Sequence, residues 1–91
     1  MSHQHSEYQQ NYKKAVEDYS KTMEMIQLGK FTKSYAKTII NDLKTYIANM
    51  HCTLMFSSSQ LRECDLYEPY KYAFSLLNNL YNLVQKFLES S

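Results

Sequence analysis

The sequence predicts an all-α fold, an antiparallel three-helix bundle, and three observations carry that expectation. The chain of 91 residues holds one glycine, Gly29, and one proline, Pro69. Sandwiches and barrels turn about every 8–12 residues and draw on such residues for their turns, so a β-rich fold lacks the breakers it needs. Apolar residues recur by threes and fours in three long runs, which is the stripe of an amphipathic helix. Finally, 44% of the residues are hydrophobic, enough for a core in a chain whose size buries roughly 65% of its unfolded surface. One domain is expected over residues 1–91, with 1–5 as a flexible tail.

The first run is Tyr8, Tyr12, Ala15, Val16, Tyr19, Met23 and Ile26, with Gln9, Lys13, Lys14, Glu17, Asp18 and Lys21 between them as a solvated face. Ser6 suits the N-cap, and Gly29 suits the left-handed position that closes a helix. Helix one is therefore expected over about 6–28. Tyr35, Ala36, Ile39, Ile40, Leu43, Tyr46, Ile47, Met50 and Leu54 form the second run, capped by Thr32 or Ser34. It should occupy about 33–56, because the serines Ser57, Ser58 and Ser59 compete with the helical backbone for hydrogen bonds. The short connection before it forces an antiparallel hairpin.

From Ser57 to Glu68 the pattern lapses, leaving room for one short helical turn near 59–65. Pro69 is acceptable in the first turn of a helix, with Asp65 or Glu68 as its cap. The third helix, about 69–89, then carries Tyr70, Ala73, Phe74, Leu77, Leu80, Tyr81, Val84, Phe87 and Leu88. Three helices of about 21–24 residues would each measure roughly 32–36 Å.

Charge and chemistry narrow the function. Ten Lys plus Arg against nine Asp plus Glu give a formal net charge of +1, and Arg62 is the single arginine. Dedicated nucleic-acid binders are strongly basic and rich in arginine, so nucleic acid is not the expected partner. Met1 to Lys14 has no apolar core of a secretory signal, and a reduced cytoplasmic setting is expected, with Cys52 and Cys64 as thiols. The uncharged stretch from Thr45 to Leu61 contains Asn49, His51 and three serines, which rules it out as a membrane span.

His51, Cys52 and Cys64 lack the short recurrent spacing of a zinc site. Met1-Ser2-His3 would offer a third-position histidine to copper or nickel only if the initiator methionine stayed. No cofactor or metal is expected. No serine sits in a triad-like context and every acidic residue fits a polar face or a cap, so neither an enzyme nor a small-molecule substrate is expected.

Two surfaces remain. Lys30, Lys33, Lys37 and Lys44, spaced by three, four and seven, put a row of cations on the first half of helix two. A solvated face is the simpler reading, and contact with nucleic acid or an acidic partner the alternative. On helix three, Tyr72, Leu76 and Leu83 lie beside the main stripe and make its apolar face wider than one bundle buries. Nine tyrosines, together with Met23, Met25, Met50 and Met55, supply residues suited to half-buried, adaptable interfaces. The expected function is a non-enzymatic interaction module, such as a small helical chaperone, adaptor or regulatory subunit. It would hold a partner helix or a second copy of itself, with Tyr70, Tyr72, Leu76, Leu83 and Phe87 as the contact residues.

Overall fold

A computed structural model of the chain describes the backbone of residues 2–90 and the side chains of residues 7–90. It contains four helices: α1 (Ser2–Gln27), α2 (Lys33–Phe56), the six-residue α3 (Ser58–Glu63) and α4 (Tyr67–Ser90). The three long helices pack antiparallel, with no strand among the described residues. Helix α1 runs from Ser2, so Ser6 lies within it rather than at its N-cap, and residues 2–5 are helical instead of the expected flexible tail; the Met1-Ser2-His3 motif as a whole lies outside the described residues and side chains.

The hairpin between α1 and α2 is built by its caps. Gly29 has φ +72°. That angle lets the Gly29 amide donate to the Ile26 carbonyl at 3.1 Å and the Lys30 amide reach back to Met25 at 2.8 Å, satisfying carbonyls that a helix end leaves open. Three residues on, the Thr32 hydroxyl accepts from the Tyr35 amide at 3.1 Å and caps α2.

The second connection repeats the first device with a different residue. Asp65 takes φ 56°, its amide donates to Arg62 at 3.2 Å, and the Leu66 amide returns to Leu61 at 2.8 Å. Leu61 and Leu66 are both buried, supplying the apolar contact that usually accompanies this helix stop. Asp65 is therefore the closing residue of α3 rather than the cap of the next helix. The carbonyl of Leu66 receives the Tyr70 amide at 2.9 Å instead. Helix α4 thus starts two residues before Pro69, and Glu68 lies inside its first turn, where a negative charge faces the positive end of the helix dipole.

The innermost positions follow a seven-residue repeat. Ala36, Leu43 and Met50 are buried on α2, and Tyr70, Ala73, Leu77, Leu80 and Val84 on α4. Spacings of three and four sustained over several turns give the shallow crossings of coiled-coil-like bundles. Helix α4 is the hub. It packs along both α1 and α2, while the backbones of α1 and α2 scarcely approach each other. Ala15, Ala36 and Ala73, all buried, let the backbones of the packed pairs come close. The molecule is elongated, 45 × 21 × 18 Å.

Aromatic contacts lock the two ends. At one, the rings of Tyr8 and Tyr70 meet edge to face at 6.1 Å, and the Tyr8 hydroxyl donates to Gln60 Oε1 at 2.7 Å, tying α1 to α3. At the other, Phe31 of the hairpin meets Phe87 of α4 at 5.0 Å and Tyr35 of α2 at 5.8 Å.

Candidate interaction site

Helix α4 distributes its expected contact residues over different environments. Tyr70 is completely buried, so it belongs to the core and is corrected from the set of surface anchors. Helix α4 packs against both α1 and α2, and the Tyr8 ring of α1 meets Tyr70 edge to face, which a stripe read along one helix does not reveal. The same two-sided packing uses up much of the wide face of α4, and Leu76 and Phe87 are half-buried. Tyr72 at 62% and Leu83 at 41% exposure remain outside.

Leu83 and Phe87, one turn apart, share a groove at the hairpin end with Ile26, Gly29, Phe31 and Lys86. Tyr72 lies three turns away toward the other end of α4 and does not join them. Phe31, like Ile26 and Lys86, is a groove residue absent from the expected contact set. Its signal was present, because a phenylalanine in a five-residue connection has no helical stripe to belong to. Other exposed apolar side chains, Leu28, Met55 and Phe56, sit at helix ends.

The lysine row needs one correction. Lys30 lies in the hairpin connection, outside α2, so its spacing from Lys33 does not place it on the helical line. It borders a shallow depression on α1 with Glu17, Lys21 and Leu28. Lys33, Lys37 and Lys44 are exposed on α2 and have no ion-pair partner among the described residues. Lys44 flanks a seam between α2 and α4 in which the His51 ring stacks on Phe74 at 5.9 Å.

Cation–aromatic contacts are concentrated in two places. Tyr67 receives both the Arg62 guanidinium, 4.3 Å from its ring centroid, and the Lys71 ammonium at 5.5 Å. Lys14 lies 5.3 Å from the Tyr46 ring and 3.8 Å from Asp18. Interaction with the Tyr46 phenol, and then the field of Asp18, raises the pKa of Lys14 above its ordinary value. Cys52 is exposed and Cys64 half-buried, and both are free thiols. Among the described residues no three His, Cys, Asp or Glu side chains gather in a group able to hold a metal ion, and no helix is long and apolar enough to cross a membrane.

No family model, curated protein or solved structure matches this chain. The hairpin-end groove is where residues from three elements, α1, the connection and α4, present apolar side chains together.

Proposed function

We propose that this chain is a non-enzymatic protein-interaction module, a small helical adaptor, chaperone or regulatory subunit. It accepts apolar side chains of a partner helix, or of a second copy, in the hairpin-end groove. The single observation that supports the reading is that Ile26, Phe31, Leu83 and Phe87 line one concave surface and leave Leu83 at 41% exposure. Scattered exposed leucines are ordinary on soluble proteins, whereas apolar residues converging on a groove mark places where another chain docks. An aromatic pair at the base and a lysine at the rim, Lys86, match the apolar centre and polar edge of such contacts.

A photo-cross-linking amino acid at position 83 tests this in the cells that make the protein, with the exposed Gln85 as control. A discrete adduct from position 83, either a dimer or a defined heterologous complex, and none from position 85 is expected. Leu83→Glu should abolish the complex while leaving the helical circular-dichroism spectrum intact. Equal labelling from both positions, or no adduct from either, would count against the groove.

A further inference from the structure

Granted the hairpin-end groove as a docking site, the reading on which this rests, we propose that its occupant is a second copy of this chain, which inserts Phe56 from the opposite end of its own bundle. Phe56 closes α2 at 83% exposure, the highest of the large apolar side chains among the described residues, and Met55 beside it is 61% exposed. The groove lies near the start of α2 and Phe56 at its end, so the length of that helix, about 36 Å, separates them. A copy therefore cannot fill its own groove.

Size and ring chemistry suit this occupant. The groove holds about 420 Å³, and a cavity of about 150 Å³ already takes benzene, so the side chain of phenylalanine can enter. Phe31 and Phe87, both lining the groove, meet at 5.0 Å, and such a pair can take a further ring in edge-to-face or offset contact. Met55, flexible and polarisable, can follow whatever apolar wall remains.

Charge selects a second copy in this orientation. Among the described residues, Lys30, Lys33, Lys37 and Lys86 at the hairpin end outnumber Glu24 and Glu89, a formal charge of +2. At the other end Glu7, Glu63, Asp65 and Glu68 outnumber Arg62 and Lys71, a formal charge of −2. Two hairpin ends brought together would face like charge, whereas Phe56 of one copy carries an acidic end onto a basic one. Because it joins unlike ends, the contact builds a chain or ring when made once per pair and an antiparallel dimer when made twice.

Sedimentation velocity of the full chain at up to about 1 mM tests the proposal, a range that reaches the weak association of a small contact. Phe56→Ser and Leu83→Glu, both at exposed positions and checked for helix by circular dichroism, should each remain monomeric where the wild type associates. Mixed one to one they should form a complex, because Leu83→Glu keeps its Phe56 and Phe56→Ser keeps its groove. Wild-type association should weaken at about 0.5 M NaCl, where the screening length falls to about 4 Å. A photo-cross-linker at position 83 should attach to residues 55–57 of a second copy, a readout that does not depend on Leu83→Glu folding. A wild type monomeric at about 1 mM, a mixture that forms no complex, or an association that high salt leaves unchanged overturns the proposal. An adduct from position 83 to a different protein, or association lost in Leu83→Glu but kept in Phe56→Ser, also overturns it, while leaving the groove a docking site.

Discussion

Gly29 and Asp65 hold the same left-handed backbone at two helix ends, with φ 72° and 56°. An added Cβ at Gly29 would meet no atom within 4 Å, so the cost of Gly29→Ala is torsional alone, about 1 kcal/mol or slightly more. At Asp65 the side chain is already present and the strain already borne. Asp65→Gly removes it, and after allowing for the greater freedom of glycine in the unfolded chain it should stabilise by about 0.5–1 kcal/mol. Thermal unfolding of the two variants should therefore shift in opposite directions; a lower midpoint for Asp65→Gly would contradict the cap described here. Tyr70 offers a second test. Its hydroxyl is buried and unpaired among the described residues, and burial of an unpaired hydroxyl costs about 1–3 kcal/mol. Tyr70→Phe should raise the urea midpoint by an amount equivalent to about 1 kcal/mol, and a loss of that size would mean that the hydroxyl has a partner. Of these residues, Gly29 was legible in the sequence because glycine at the end of a stripe has one common use. Asp65 was not, since aspartate before a proline-containing helix reads equally well as an N-cap.

Among the elements, α4 carries the greatest share of the core, because its buried face is addressed from two sides. Leu77 is completely buried at its centre, whereas Leu83 on the same helix is 41% exposed. Leu77→Ala should cost about 2–5 kcal/mol by leaving a cavity, and Leu83→Ala within about 0.5 kcal/mol. Chemical denaturation of the pair tests the assignment, and similar losses at both positions would show that α4 is turned differently on its axis. The extents of α2 and of the end of α1 were readable from periodicity with the caps Thr32 and Gly29. Helix α4 starts two residues before the expected position because Pro69 is such a strong marker of a first turn that the two residues before it, Tyr67 and Glu68, read as connection. The width of the apolar face on α4 was legible too, but its meaning was not. Width signals an unburied surplus only if one neighbour is available, and α4 has two.

For the molecule as a whole, α4 is what makes α1 and α2 into one structure, because those two helices scarcely contact each other. A fragment ending at residue 63 should consequently lack cooperative unfolding and show little helix by circular dichroism, since most helical stability in proteins comes from packing an amphipathic face, and the fragment lacks the helix that α1 and α2 pack against. Addition of a peptide covering residues 64–91 should restore helix to both parts. A fragment that melts cooperatively on its own would refute the hub role of α4. Periodicity and the two breakers determined the helical class, the three long elements and the antiparallel order, because those depend on neighbours along the chain and on short loops. Tertiary structure alone decided that Tyr70 is core and that Leu83 and Phe87 meet Phe31. Each of those facts depends on which sides of a helix its neighbours cover, and on residues distant in sequence arriving at one place; the spacing of one stripe carries information about neither.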